Sequence, residues 1–370
     1  MSGRMLMFGL LASGCVASPA IDAGSFERAG PHRVGSMHTT IHNRDGGRPL
    51  PVELWYPAVS AAAAEASAGF PMEEFEEAPR RAQLAEWIAE APELCTPRLA
   101  HSARNAPVAT GAPWPVLLFS HCTECFRFSM HSLAERLASH GFVVAAPDHV
   151  ENTRFDATAP LTDSFLAVRA GDLASVLDAL LDPNSREVPE ALRGQLDSAR
   201  VGVVGHSFGA VTAGKFVELD ARVLAGFLIA APVDSPFLNS GSIKRVTRPL
   251  SFLLAMEDNS ISFLGNGFIR DNFVKAPRPT WLIEVAESGH WTFSDIAGLG
   301  GDYQPGCGTG MRDPDGGVFT YLDNDLGRSV AQRYVSAWAA HVIRGEVEAG
   351  VALSESVPAN VVLVKKRASP

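Results

Sequence analysis

The feature of this sequence that most limits its fold is a regular alternation beginning at Pro115. Short continuous apolar runs alternate there with longer stretches that carry apolar residues on one helical face. Buried parallel strands joined by crossover helices produce this pattern, because strands covered on both faces are apolar throughout. The predicted strands are 115–120, 142–147, 200–204, 224–230, 249–255 and 279–285, and the predicted helices are 128–139, 164–181, 208–219 and 328–344. The predicted fold class is α/β, with a mostly parallel central sheet flanked by helices.

The residues before this alternation indicate an insertion rather than a second domain. Residues 50–57 alternate like a strand, whereas residues 58–112 are Ala-rich and then acidic, with helical spacing at 82–89. We expect this segment to form a cap-like insertion over the sheet. The predicted organisation is a signal peptide at 1–14, an N-terminal linker and edge region at 15–47, one α/β domain at 48–350 and a C-terminal tail at 351–370.

The charge balance disfavours a polyanion-binding protein. The 370 residues include 31 Lys and Arg against 41 Asp and Glu, for a formal net charge of −10. Nucleic acid binding needs clustered basic residues that displace counterions from phosphates. The only basic run, Lys365 to Arg367, lies beside the C-terminus and is predicted to be a solvated tail. We therefore expect no nucleic acid partner.

The N-terminus has the pattern of an export signal. Arg4 precedes an apolar run from Met5 to Ala12, which is shorter than the roughly 20 residues that span a bilayer. Leu11-Ala12-Ser13-Gly14-Cys15 is similar to a bacterial lipoprotein signal, in which Cys15 is lipidated; an ordinary secretory signal is the alternative. We expect an exported protein whose only link to a membrane is this lipid anchor.

Four further cysteines, Cys95, Cys122, Cys125 and Cys307, predict disulfides in an exported chain. Four cysteines allow three full pairings, and the sequence does not rank them. Cys122 and Cys125 form a lone C-x-x-C. Because no second such pair or spaced histidine pair accompanies it, we predict neither a metal site nor redox chemistry.

Gly205-His206-Ser207-Phe208-Gly209 is the motif that carries chemistry. It follows the predicted strand 200–204 and precedes a predicted helix. Acyl transfer to serine needs a hydroxyl exposed on a sharp strand-to-helix turn, and flanking glycines let other backbone pass closely. Ser207 is therefore the predicted nucleophile, and the backbone N–H of Phe208 is the predicted first donor of an oxyanion hole.

An acid and a histidine follow in the order that this geometry requires. Asp258 lies just after the predicted strand 249–255, with Glu257 as the alternative acid. His290 follows the predicted strand 279–285, where an imidazole can take the proton of Ser207. The predicted catalytic set is Ser207, His290 and Asp258.

Several motifs together resemble the platelet-activating-factor acetylhydrolase and dienelactone-hydrolase-like branch of the α/β-hydrolases. They span about residues 50 to 345 and are Phe119-Ser120-His121, Phe126-Arg127, Gly141-Phe142-Val143-Val144, Pro147-Asp148-His149, Gly205 to Gly209, Gly289-His290 and Phe293-Ser294-Asp295. The resemblance implies that the second oxyanion donor is Thr123. This sequence departs from the family by placing Cys122 where a glycine usually stands. A disulfide from Cys122 or Cys125 is a hypothesis for how the loop is held.

These observations predict a serine carboxylic-ester hydrolase that works through an acyl-enzyme and needs no cofactor. The resemblance implies esters with short acyl chains or lipid-like character, while polyester, triglyceride and lactone substrates stay open. Phe126 and Trp291 are candidate pocket residues, and Asp148 and His149 are interpreted as structural. The rival hypotheses are a thioesterase or peptidase, a cysteine nucleophile, and a non-catalytic ligand-binding lipoprotein.

Overall fold

The computed structural model of the protein describes residues 23–44, 47–62, 68–95, 99–156, 159–235, 238–300, 303, 305–313 and 315–368. The predicted signal peptide and Cys15 lie outside the described residues. Within the described ranges, no helix has both the length and the apolar character needed to cross a bilayer.

The centre of the molecule is a ten-stranded sheet in the order β12-β9-β8-β7-β6-β4-β5-β2-β1-β3. Six neighbouring strands pair in parallel, in the order β5, β4, β6, β7, β8 and β9 across the sheet. Antiparallel pairs flank them on both sides. The strand bounds are β1 Arg33–His42, β2 Pro49–Ala58, β3 Ala103–Arg104, β4 Trp114–Ser120, β5 Val143–Pro147, β6 Leu196–His206, β7 Val223–Ile229, β8 Leu250–Ala255, β9 Thr280–Val285 and β12 Val362–Arg367, and a separate hairpin contains β10 Thr309–Met311 and β11 Val318–Thr320. All six predicted parallel strands are confirmed.

The helices cover both faces of this sheet. Their bounds are α1 Arg80–Glu90, α2 His131–Ser139, α3 Asp163–Leu181, α4 Phe208–Leu219, α5 Ser262–Lys275, α6 Asn324–Trp338 and α7 Ala349–Ala352, and a π-helical turn at Ala339–Ile343 continues α6. Apolar residues of α2 and α6 belong to one core cluster, and those of α3, α4 and α5 belong to a second. Two apolar layers on opposite faces of a mostly parallel sheet confirm the predicted fold class.

The sheet extends past both predicted limits of the domain. β1 pairs with β2 along its whole length, and β12 pairs antiparallel with β9 from Val362 to Arg367. The run at 365–367, predicted to be a solvated tail, is therefore part of a paired edge strand, although Lys365 and Lys366 are exposed. Lys365 contacts Glu284 at 2.6 Å, and Lys366 lies 5.2 Å from the centre of the Trp281 ring. An unpaired edge of β9 is a sufficient physical reason for the C-terminal residues to add a strand.

The insertion at 58–112 packs against the α2 and α6 side of the sheet. Phe75 stacks on Phe128 at 5.0 Å, and Trp87 on α1 stacks on Phe155 at 5.4 Å. A disulfide between Cys95 and Cys307 joins the insertion to the loop that follows β9. The insertion is thus held by an apolar interface and by one covalent bond.

Candidate active site

Ser207 lies in a sharp turn between β6 and α4. Its backbone has φ 58° and ψ −127°, a conformation that residues with a side chain rarely adopt. The turn is held because the Ser207 N–H donates to the carbonyl of Ile229 at 2.9 Å. The Ser207 side chain remains partly exposed, although its neighbours on both sides are buried.

The two glycines of the motif allow backbone segments to touch. A Cβ on Gly205 would collide with the carbonyl of Gly209, and a Cβ on Gly209 would collide with the carbonyls of Ser120 and His121. The turn at Ser207 therefore packs directly against the loop after β4. This contact brings the predicted nucleophile next to the predicted oxyanion loop.

A hydrogen-bonded chain links the three predicted catalytic residues. Ser207 Oγ lies 2.8 Å from His290 Nε2, and His290 Nδ1 lies 2.7 Å from Asp258 Oδ2. The second oxygen, Asp258 Oδ1, accepts the backbone N–H groups of Ser260 and Ile261 at 3.0 and 3.1 Å. All three residues follow the carboxyl ends of parallel strands, which is where ligands bind in open α/β sheets. The arrangement can transfer a proton from the serine hydroxyl to the imidazole.

Glu257, the alternative acid, has a different partner. Its carboxylate pairs with Arg312, which also contacts Glu287 at 2.6 Å. Partial burial raises the pKa of Glu257, and the charge of Arg312 opposes that rise. Asp258, rather than Glu257, is the carboxylate that is hydrogen-bonded to His290 Nδ1.

His206 is a site residue that the sequence analysis did not identify. Its Nε2–H donates to the backbone carbonyl of His290 at 2.9 Å. Burial, and next the proximity of His290, lower the pKa of His206 to about 3. His206 is therefore a neutral donor at physiological pH and positions His290 through its main chain. Its position directly before Ser207 is the only sequence signal for this role.

The predicted oxyanion loop is held by a second disulfide, between Cys122 and Cys125. Of the three possible pairings, the structure has Cys122 with Cys125 and Cys95 with Cys307. Thr123 lies inside the small ring and is partly exposed, and its Oγ1 accepts a hydrogen bond from Asn152 Nδ2 at 2.9 Å. The Cys122–Cys125 disulfide supports the hypothesis that a disulfide holds this loop, in which Cys122 stands where the family has a glycine.

A buried histidine pair lies behind the loop. The backbone N–H of His149 donates to His121 Nε2 at 2.9 Å, so the proton of His121 is on Nδ1, where it is donated to the Cys122 carbonyl at 2.6 Å. His149 Nδ1 lies 3.0 Å from Asp172, and its Nε2 lies 3.0 Å from Ser120 Oγ. Burial, and next the charge of Arg169, hold the pKa of both imidazoles well below the usual range. Both rings are neutral structural groups.

Asp148 has a structural partner as well. It accepts the Arg127 backbone N–H at 2.7 Å and an Arg127 guanidinium N–H at 2.8 Å, so it fixes the exit of the oxyanion loop. The two pocket candidates differ in position. Trp291 lies against His290 at 4.8 Å, whereas Phe126 has no exposed surface and stacks on Phe128 at 5.1 Å. Both rings are buried in the same core cluster, and a role for either in the substrate pocket stays a prediction.

The sequence model of the alpha/beta hydrolase family matches residues 117–362, which include the turn at Ser207 and the whole hydrogen-bonded chain. The chain belongs to this family. A ferulic acid esterase from Streptomyces cinnamoneus has a similar fold, with a TM-score of 0.58 and 21% identity over 90% of this chain and 93% of that one.

Within the family, the chain is similar to platelet-activating factor acetylhydrolase. The model of isoform II of that enzyme matches residues 23–165. The acetylhydrolase of Cavia porcellus is 28% identical over 228 residues, or 52% of this chain and 51% of its own length. That of Bos taurus is 27% identical over 192 residues, or 41% and 42% respectively. The aligned region thus spans about half the length of these curated relatives, or less.

Proposed function

We propose that the protein is a carboxylic-ester hydrolase that forms an acyl-enzyme on Ser207. The observation that carries this proposal is the continuous hydrogen-bonded chain from Ser207 Oγ through His290 to Asp258, with distances of 2.8 and 2.7 Å. Membership of the alpha/beta hydrolase family supports it. The similarity to acetylhydrolases supports an ester as the substrate.

In the proposed reaction, Ser207 Oγ forms a bond to the ester carbonyl carbon while its proton moves to His290 Nε2. The negative oxygen of the tetrahedral intermediate accepts the backbone N–H groups of Phe208 and Thr123. The bond to the alcohol then breaks, and His290 gives its proton to that leaving group. Water repeats the sequence on the acyl-enzyme and releases the acid. Asp258 holds the imidazole with its proton on Nδ1 throughout.

We propose a short-acyl or lipid-like ester as substrate. The similarity to platelet-activating factor acetylhydrolases supports a short acyl group. Two disulfides support an exported protein, because cysteines stay reduced in most intracellular compartments. Lipidation at Cys15 stays a prediction.

The test begins with a fluorophosphonate, which reacts with activated serines, followed by intact-mass analysis of the signal-free protein. We expect one adduct, located at Ser207, and none on the Ser207→Ala variant. Hydrolysis of p-nitrophenyl esters from acetate to palmitate then measures the preferred acyl length, and we expect the highest kcat/KM for short chains. A folded protein that forms no adduct and hydrolyses no ester would favour the ligand-binding alternative.

A further inference from the structure

Arg169 on α3 is a fully buried cation next to the candidate active site. Its guanidinium donates to Asn152 Oδ1, to the backbone carbonyl of His121, and to Ser120 Oγ at 3.2 Å. All three acceptors are uncharged. Burial lowers the pKa of Arg169 to about 9, and the charge of Asp172 opposes this effect. A buried guanidinium is costly, so its contacts identify what it stabilises.

These contacts converge on the loop that carries Thr123. His121 lies two residues before Thr123, and Asn152 holds Thr123 Oγ1 through its own Nδ2 at 2.9 Å. The backbone carbonyl of Asn152 also accepts a hydrogen bond from the backbone N–H of Glu124 at 3.0 Å. Arg169 therefore fixes the loop on both sides of Thr123, directly at His121 and through Asn152.

The same guanidinium contacts the turn at the nucleophile. Its central carbon lies 4.8 Å from the centre of the Phe208 ring, a cation–π contact with the residue directly after Ser207. The backbone N–H groups of Phe208 and Thr123 are the two donors in the proposed reaction. One buried side chain thus contacts both of the segments that supply them.

We propose that Arg169 is a positioning residue that sets the spacing between the two oxyanion donors. This inference rests on the proposed ester hydrolysis. An oxyanion hole works because its donors are fixed before charge develops, and loss of one donor typically lowers kcat by about 10²- to 10³-fold. Removing Arg169 leaves both N–H groups and the small disulfide ring in place, but the loop loses its contacts at His121 and Asn152. The stabilisation of the transition state therefore falls more than the affinity for the substrate does.

The test compares Arg169→Met, Arg169→Lys and Asn152→Ala with the wild-type protein. The matched control is Arg333→Met, which removes another buried arginine, on α6, that pairs with Glu27 at 2.6 Å and Glu355 at 3.0 Å. Hydrolysis of p-nitrophenyl acetate is measured per active site, counted by fluorophosphonate titration. Affinity for a trifluoromethyl ketone, which forms a tetrahedral adduct, is measured in parallel.

We expect Arg169→Met to lower kcat by about 30- to 100-fold while KM stays within about threefold of wild type. Its affinity for the ketone should fall by a factor similar to that of kcat. The kcat of Arg169→Lys should lie between those of wild type and Arg169→Met, because an ammonium keeps the charge but lacks the planar guanidinium that reaches several acceptors. Asn152→Ala should lower kcat by about tenfold, whereas Arg333→Met should lower stability and leave kcat per site unchanged.

The inference is wrong if kcat per site in Arg169→Met and Asn152→Ala stays within about twofold of wild type. Should Arg169→Met not fold, Asn152→Ala alone decides between the same two outcomes. The wild-type protein separates this result from the proposed function. If the wild type neither reacts with the fluorophosphonate nor hydrolyses the ester, the proposed function fails first.

Discussion

At the scale of single residues, Ser207 combines exposure with an unfavourable backbone. A side chain at φ 58° and ψ −127° costs free energy that glycine does not incur. We expect Ser207→Gly to raise the free energy of unfolding by about 1 kcal/mol, and Ser207→Ala, which keeps the Cβ, to leave it nearly unchanged. Both variants should lose on the order of 10⁴-fold or more in kcat. Urea unfolding and ester hydrolysis measure the two effects. Equal stability of the glycine and alanine variants would contradict the strain at this position.

Glu135 on α2 gives a pH-dependent prediction. Burial raises its pKa to about 8, although its carboxylate accepts the backbone N–H groups of His101 and Ser102 at 2.6 and 2.7 Å. An unfolded glutamate titrates at about 4.3, so between these values the folded protein binds the extra proton. The stability contributed by this proton is present at low pH and is lost as the pH rises towards 8.

The measurement is urea unfolding of wild type and Glu135→Gln at pH 5 and pH 8.5. Because glutamine does not titrate, the stability of the variant relative to wild type should increase by at least about 1 kcal/mol between these pH values. Glu90→Gln, at an exposed site on α1, is the matched control and should show no such change. A constant difference for Glu135→Gln would mean that its carboxyl is ionised in the folded protein.

The sequence predicted some site residues and missed others for a physical reason. Ser207, Asp258 and His290 each lie within five residues of the end of a strand, and strands are visible as apolar runs. Arg169 and Asn152 lack such a signal. Arg169 occurs in a helix where an arginine is normally solvated, and its burial follows from how α3 packs on the loop after β4. Pairing in a buried polar network depends on tertiary contacts, which residue spacing does not encode.

At the scale of elements, we expect the two disulfides to differ in their effects on stability and on kcat. The Cys95–Cys307 bond has a sequence separation of 212, whereas Cys122–Cys125 has a separation of 3. A bond that closes a long loop restricts the unfolded chain much more than one that closes a short loop. We expect the double serine variant of Cys95 and Cys307 to lose about 3 to 5 kcal/mol of stability with little change in kcat.

The double serine variant of Cys122 and Cys125 should behave in the opposite way. Its loss of stability should be below about 2 kcal/mol, but kcat should fall by about tenfold because Thr123 is no longer inside a closed ring. Each pair serves as the control for the other in thermal unfolding and ester hydrolysis. Equal effects of both pairs on kcat would contradict a specific role for the smaller ring.

The elements that the sequence did not predict are those with weak or shared patterns. α5 contains Gly265 and Gly267 and has no clear apolar stripe, so its helical state depends on packing against β8 and β9. β12 is an apolar run that becomes Lys365-Lys366-Arg367, and only the exposed edge of β9 gives it a partner. Strands buried on both faces were predictable, because burial alone explains their composition.

At the scale of the whole molecule, the insertion and the first described residues pack against the same face of the sheet, the one covered by α2 and α6. The short helix Ala23–Glu27 packs with Phe26 buried, and Glu27 pairs with Arg333 on α6. The described chain is therefore tied to the folded domain from its first residues. Eight residue steps separate Cys15 from Ala23, so a fully extended connection reaches at most about 28 Å. A lipid on Cys15 would keep the domain within that distance of a membrane.

This geometry gives a prediction for the protein expressed with residues 1–22 in a bacterial host. We expect metabolic labelling with palmitate and recovery in the membrane fraction, and Cys15→Ser should lose both because it removes the thiol that would carry the lipid. The same variant should hydrolyse p-nitrophenyl acetate with unchanged kcat, because Ser207, His290 and Asp258 are unchanged. Its rate on esters embedded in vesicles should fall, since the anchor no longer concentrates the enzyme at the lipid. Membrane recovery of Cys15→Ser without palmitate would place the attachment elsewhere on the protein.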